Sequence, residues 1–298
     1  MKKLLLLIIT VFVISAPSFS QLNSGPNQNP PAPVFVKPGP TVTNAGGSGC
    51  KFLVLEDNLP WNTSALTDYM TAQGDNFTVA NSSVFPGLDF SQYDVIVVAS
   101  DQNHAFHLVF QANFAKFVNF VTNGGSLEVH SATCGWNSAC TDVITLPGGV
   151  VTVDQFDSYN DIADPTNPIV NGVSNHFFGH FASHAYFTNL VPATDIITIT
   201  TGINNDTGIP GIAGLPTTIQ YHYGSGLVTA TSCTYEFSCQ YSFTDICTMM
   251  HNDLSYSCNH SIAANPVPTM SQWGLIIFGI FLLIFGTLYI LRRKGTAA

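Results

Sequence analysis

A thiol, an imidazole and a carboxylate are the parts of a nucleophilic site. This chain places Cys134 four residues after His130, with His222 and Glu236 further on. A cysteine thiolate attacks a carbonyl carbon when an imidazole takes its proton and a carboxylate orients that imidazole. His130 or His222 would be the base here, and Glu236 its orienting partner. No Gly-x-Cys-x-Gly turn surrounds Cys134, however, and Cys140 nearby offers it a disulfide. Nucleophile and bridge make opposite demands on one sulfur, and the bridge is the expectation we favour.

Two further series could hold ions. His176, His180 and His184 recur every fourth residue. On a helix they would share a face at about 6 Å per step, a spacing suited to a metal. Gly179 interrupts such a helix, and Phe177, Phe178, Phe181, Tyr186 and Phe187 give the segment the texture of aromatic packing. Asp154, Asp157, Asp161 and Asp164 offer oxygen ligands for calcium, but no EF-hand glycine and glutamate frame them, so a solvated loop is expected. The absence of Cys-x-x-Cys argues against a thiolate zinc site. No cofactor is implied.

The elements that must position these groups begin at Lys51. Phe52-Leu53-Val54-Leu55 and Val95-Ile96-Val97-Val98 are apolar runs fit for strands buried on both faces. Asn62-Thr63-Ser64 supplies caps for a helix carrying Leu66, Tyr69 and Met70, stopped by Gly74. Phe77 to Val79 is a short strand. Val109 to Val121 predicts one helix with Phe110, Phe114, Phe117, Val118 and Val121 on a face, ended by Asn123-Gly124-Gly125. Ser126 to Ser131 is the next strand. Strand and helix alternate, so a mostly parallel, flavodoxin-like sheet with flanking helices is expected. Beyond Cys140 the pattern turns to β-hairpins: 143–146 with 150–153 around Pro147-Gly148-Gly149, and Thr218 to Tyr223 with Leu227 to Thr231 around Gly224-Ser225-Gly226. Asp195 to Thr201 is a strand, and Cys239 to Leu254 a last helix. Ligands of open α/β sheets bind outside the carboxyl ends of the strands. Asp57, Asp101 and the segment from His130 to Trp136 would meet there.

Three stretches carry a family resemblance. Gly124-Gly125-Ser126-Leu127-Glu128-Val129-His130, Asn167-Pro168-Ile169-Val170-Asn171-Gly172 and Tyr223-Gly224-Ser225-Gly226-Leu227-Val228 resemble motifs of the class I glutamine-amidotransferase-like fold, in its trehalose-utilisation (ThuA-like) branch. The resemblance spans roughly Lys51 to Glu236. It implies the α/β fold and, through the sugar-utilising branch, a carbohydrate or surface-component ligand. Where that family often has Asp-Glu-x-Tyr, this chain has Ser183-His184-Ala185-Tyr186, without the acidic pair.

The two ends point to export. Met1-Lys2-Lys3 precedes an apolar stretch from Leu4 to Ser15, and Ser18-Phe19-Ser20 suits cleavage before Gln21. Gly274 to Leu291 is an uncharged run of 18 residues followed by Arg292-Arg293-Lys294. As a helix it would be roughly 27 Å long, just enough to cross a membrane. The basic triplet predicts a cytoplasmic C-terminus, with Trp273 and Tyr289 near the two interfaces. Directly before the run, Val267-Pro268-Thr269-Met270-Ser271-Gln272-Trp273-Gly274 resembles the signature of the bacterial IPTL-CTERM sorting domain. That implies a surface protein handled by a membrane sorting or processing enzyme. The expected organisation is a signal peptide at 1–20, a Pro/Gly/Asn-rich linker at 21–49, an α/β ectodomain at 50–262, a second linker at 263–272, and a transmembrane helix with basic tail at 273–298.

Composition agrees with an exported domain. Between the signal peptide and Trp273 lie 18 acidic residues but only Lys37, Lys51 and Lys116, a formal charge of −15. Nucleic acid is excluded as a natural partner, because phosphate binding needs clustered Lys and Arg. Seven cysteines allow three bridges in an oxidising compartment. Proximity suggests Cys134/Cys140, Cys233/Cys239 and Cys247/Cys258, leaving Cys50 as the odd thiol. The sequence favours a surface protein whose domain binds or builds. A hydrolytic or carbohydrate-active enzyme using the strand edge is the alternative.

Overall fold

A computed structural model describes residues 49–133, 143–190, 195–203, 214–264, 278 and 280–285. One sheet of nine strands organises the described chain. β1 (Lys51–Leu55), β2 (Asn76–Ala80), β3 (Val95–Val98), β4 (Ser126–His130) and β9 (Gly226–Thr231) run parallel in the order β2-β1-β3-β4-β9. Taken in order of appearance, that is the flavodoxin-like 2-1-3-4-5 arrangement. β8 (Pro216–Tyr223), β7 (Ile197–Gly202), β5 (Val151–Ile162) and β6 (His176–Thr188) extend it on the β9 side, each antiparallel to its neighbour. The expected α/β class and mixed sheet are therefore present, with five of nine strands parallel.

Period-two alternation sends each strand's side chains to two different cores. Leu53, Leu55, Ile96, Val98, Leu127 and Val129 pack with Phe106 and Phe110 of α2 (His104–Ala112) and Phe117, Phe120 and Val121 of α3 (Phe114–Thr122). Phe52, Val54, Val95 and Val97 pack on the other face, with Leu66 and Met70 of α1 (Ala65–Gln73) and Ile246, Met249, Met250 and Leu254 of α5 (Thr244–Ala264). α4 (Tyr235–Gln240) lies between β9 and α5 in the chain and brings Tyr235 into the second core. Fully burying one such aliphatic or aromatic side chain is worth about 1.5–3 kcal/mol, so the sheet is held from both sides.

Local signals hold where they are strong. Gly74 closes α1 at φ 73°, the left-handed cap that glycine adopts without penalty. The helix read across Val109 to Val121 is instead two, broken at Asn113, whose side-chain amide donates to the Val109 carbonyl at 2.8 Å. That side chain competes with the helix for its own carbonyls. The Pro147-Gly148-Gly149 turn forms, but its first arm is only a bridge, Thr145 with Val151, and the second continues as the twelve-residue β5. The Gly224-Ser225 turn closes β8 onto β9, with Tyr223 opposite Gly226.

The three resemblance-bearing stretches have packing roles. A Cβ on Gly125 would run into the Phe120 ring, and one on Gly226 into the Val121 and Gly125 carbonyl oxygens. Ser225 N–H donates to the Thr122 carbonyl at 3.1 Å. These glycines let α3 seat against the β4–β9 pair at its amino end. In the third stretch Asn167 caps a short 3-10 turn, Pro168–Val170, whose Ile169 and Val170 are buried. Asn252 of α5 donates to the Ile169 and Asn171 carbonyls at 3.0 and 2.9 Å.

The cysteine pairing differs from the expectation. Cys50 is bonded to Cys258, and Cys239 to Cys247, while Cys233 is free and buried. Cys50 precedes β1 and Cys258 sits on α5, which packs over β1's face of the sheet. The fold brings their Cα atoms to 5.9 Å across a sequence separation of 208. Cys134 and Cys140 lie outside the described residues, as do the signal peptide, the linker and Val267 to Gly274. Among the described residues no helix is long and apolar enough to cross a membrane. The predicted span falls largely outside them.

Candidate functional site

Along the whole length of β4, side chains of that strand and of α5 build a polar seam between the sheet and the helix. In β4, Leu127 and Val129 enter the first core, so Ser126, Glu128 and His130 face α5. Opposite them α5 presents Asp253, Ser257 and Ser261, one every fourth residue. Ser261 donates to the Ser126 hydroxyl at 2.7 Å. His130 is held at Nε2 by Glu128 at 2.8 Å and at Nδ1 by Glu236 at 2.7 Å, and all three side chains are fully buried.

Two carboxylate partners decide the charge of that ring. An ionised carboxylate only accepts, so with both partners ionised each imidazole nitrogen carries a proton and His130 is an imidazolium. Burial opposes its charge, but the charges and hydrogen bonds of Glu236 and Glu128 prevail and raise its pKa to about 10. Burial likewise works against an ionised Glu236, yet the His130 charge and bonds hold its pKa below the usual carboxylate range. Asp253 is pushed well above that range, by burial first and then by the Glu128 charge. The Tyr235 hydroxyl lies 3.4 Å from Asp253 and its ring stands edge-on to His130.

Around this seam the strand ends are tied together. Gln102 accepts from the Asp57 and Asn58 amides at 2.6 and 3.1 Å and donates to the Asn58 and Ser100 carbonyls. Asp57 accepts from Ser82 through both its amide and its hydroxyl. Asp101 sits at φ 55° and accepts from the Trp61 amide at 2.9 Å. β6 then crosses the end of β9: Ser183 bridges Cys233, His184 N–H donates to the Ser232 carbonyl, and Thr234 N–H to that of Ala182. Over this crossing Trp61, Phe156 and Phe181 surround the buried His184 ring. Glu56, directly after β1, is half-buried, as is Asp57. Burial, followed by the Glu236 charge, raises the pKa of Glu56 to about 7.

The sequence-predicted groups divide accordingly. His130 and Glu236 meet, as an ion pair and not as a base awaiting a thiol. His222 does not join them. It lies at the hairpin end of β8, paired with Asp195 at 2.7 Å, and faces Leu227, whereas His130 faces Thr231. Four residues of strand separate those positions by roughly 13 Å. The same distance undoes the histidine series, because His176, His180 and His184 lie on strand β6 and not on a helix. His176 bonds Asp161 at 2.8 Å, His180 is exposed beside Phe181, and His184 is buried among aromatic rings. The aspartates are likewise dispersed along β5 and the turn after it. Asp154 accepts from Thr133, Asp157 from the Ile203 amide, and Asp164 from Thr166.

Sequence reasoning missed Glu128, Asp253 and Glu56. The signal for the first was available: polar Ser126, Glu128 and His130 alternate with apolar Leu127 and Val129 inside a strand read as buried. It also missed a separate cluster where α4 meets α5. There His251 stacks on Tyr69 with 3.7 Å between centroids, and its Nε2 lies 3.5 Å from the Cys247 sulfur and 3.9 Å from that of Cys239. Burial lowers the pKa of His251 to about 4, so its imidazole is neutral.

No family model matches the chain. It is 26% identical over 208 residues to an uncharacterized protein of Clostridium acetobutylicum, a match covering 70% of this chain and 20% of that protein. The chain thus spans about a fifth of the length of the curated relative it matches. Among solved structures it is similar to a cytoplasmic protein of Salmonella typhimurium, with TM-score 0.46, 11% identity and coverage of 70% of this chain and 99% of the other. It is also similar to a glutamine amidotransferase of Thermotoga maritima, with TM-score 0.38, 7% identity and coverage of 72% and 97%.

Proposed function

We propose that this is an exported bacterial surface protein whose amidotransferase-like α/β domain binds or builds and does not catalyse. One observation carries the non-catalytic part. The imidazole best placed to activate a strand-edge nucleophile is sealed between Glu128 and Glu236, fully buried and engaged at both nitrogens. A general base needs a free lone pair near neutral pH, and His130 has none. Nor does a described lysine offer to stabilise a thiolate: Lys51 is exposed at the start of β1, and Lys116 donates to the Phe85, Pro86 and Leu88 carbonyls. The resemblance-bearing glycines and asparagines serve packing, so the ThuA-like likeness supports a fold more than an activity. Purified protein assayed against esters, amides and glycosides should show no turnover that His130→Gln abolishes. Turnover lost in that variant, with its fold intact, would overturn the reading.

Export and anchoring rest on the Lys2-Lys3 leader, the uncharged run at 274–291 and the basic residues after it. The two cysteine pairs at disulfide distance add support, since such pairs persist in oxidising compartments. The IPTL-CTERM-like octapeptide at 267–274 would be the handle for a membrane processing enzyme. Protease added to spheroplasts should digest the domain, and scrambling the octapeptide should alter processing or surface delivery. A fully protected domain, or a scrambled chain that matures like wild type, would refute the respective part.

A second reading has one observation in its favour. Glu56 is partly accessible at the strand edge with a pKa near that of a general acid working at neutral pH. A carbohydrate-active or hydrolytic site would therefore be built on Glu56, and Glu56→Gln would remove any glycosidase activity while leaving the fold unchanged.

A further inference from the structure

The α4–α5 junction holds a group that the seam does not use. Cys239 comes from α4, while Cys247 and His251 occupy successive turns of one face of α5. Their two sulfurs and one ring nitrogen all lie within 4.8 Å of one another, the one His/Cys/Asp/Glu group among the described residues so placed. We propose that reduction of the Cys239–Cys247 disulfide opens a zinc site formed by both thiolates and His251 Nε2.

The existing distances fit the ion. With Zn–S near 2.3 Å and Zn–N near 2.0 Å, a tetrahedron needs S···N edges of roughly 3.6 Å. The structure has 3.5 Å from Nε2 to Cys247 and 3.9 Å to Cys239. Only the two sulfurs must separate, from bonded contact to roughly 3.8 Å, the S···S edge of the same tetrahedron. The stack on Tyr69 fixes the plane of the ring, leaving Nε2 on the two sulfurs. No fourth protein ligand is present among the described residues, so that corner would fall to water, as in open zinc sites.

The chemistry balances with an external thiol. Two molecules of a small thiol take up the disulfide exchange, leaving two protein thiols and one external disulfide. Zinc then displaces the two thiol protons to solvent and binds the thiolates. Oxidised, the pair is a covalent clasp between α4 and α5. Reduced and metallated, the same residues hold the same junction through the ion, so the site would respond to redox conditions and to zinc.

The test uses the full chain, reduced with a phosphine under argon and titrated with cobalt(II) as a spectroscopic stand-in. The reduced protein should bind one equivalent with thiolate-to-cobalt charge transfer and the visible bands of a tetrahedral ion, and one equivalent of zinc should bleach them. The untreated, oxidised protein should give none of this. His251→Gln should weaken cobalt binding at least tenfold. The double variant Cys239→Ser/Cys247→Ser, which keeps every other cysteine, should give only baseline. A reduced chain without tetrahedral bands, equal binding by the oxidised chain, or an unchanged signal in either variant would overturn the proposal. Circular dichroism confirms that each variant is folded before its result is counted.

Discussion

Replacing His130 by alanine tests the charge assignment of the buried seam. In the native protein one imidazolium lies between two fully buried carboxylates at 2.7 and 2.8 Å. Removing one partner of a buried ion pair costs about 3–5 kcal/mol, because the remaining charge is left without compensation. His130→Ala should therefore lose about that much in urea unfolding at pH 7. Glu236 supplies the diagnostic pH dependence. Without His130, burial, the largest influence on Glu236, is answered only by backbone bonds from the Ser100 and Glu236 amides, and its folded pKa should rise above the unfolded value. A raised acid contributes least stability at high pH, so below pH 6.5, where the His130 contribution of the wild type is already complete, the deficit of the variant should shrink as pH falls toward 5. The wild type shows the complementary effect through His130, whose pKa is raised from 6.5 to about 10. That contribution is complete below pH 6.5 and is lost as pH rises through 10. At 1.36 kcal/mol per unit it is on the order of 5 kcal/mol. A variant within about 1 kcal/mol of wild type, or a deficit flat between pH 5 and 6.5, would show that the seam is not ionised.

Other outcomes follow from the packing. Peptide mapping of non-reduced protein should recover Cys50 linked to Cys258 and Cys239 to Cys247, and removing the first link should cost about 2–5 kcal/mol, since it closes most of the domain. Gly226→Ala should destabilise the fold by several kcal/mol, on the order of the largest packing defects, because the new methyl meets two backbone carbonyls; thermal melting checks it. Asp101→Ala should lower stability by about 1–3 kcal/mol, through loss of the Trp61 amide bond and a left-handed backbone that Asp tolerates better than Ala, read from the denaturation midpoint.

Much of the frame was legible because its causes are local. Four apolar residues in a row at 52–55 and at 95–98 can only be strands buried on both faces in a chain that alternates with helices. Gly74 stops its helix for a steric reason that involves no distant residue, whereas the Gly224-Ser225 turn also rests on the Thr122 backbone. The fourfold spacing of His176, His180 and His184 did not decide their element, because aromatic and histidine residues suit either, and pairing with β5 settled the matter. The loop reading of Asp154 to Asp164 failed for a related reason. Charged and polar residues at a sheet's far side can find individual partners, as Asp161 does in His176.

The sequence by itself determined the α/β frame, the acidity of the chain, and the presence of His130 and Glu236 as reactive types. Only the tertiary structure decided what those types became. His130 and Glu236 are 106 positions apart, and Glu128 reaches the same ring because period-two alternation turns it toward α5. Whether an imidazole is a base or a fixed cation depends on what its second nitrogen meets and on how dry the site is. Cys50 reaching Cys258 across 208 positions has the same cause. Pairing follows the distances that packing sets, and those are not encoded in sequence proximity.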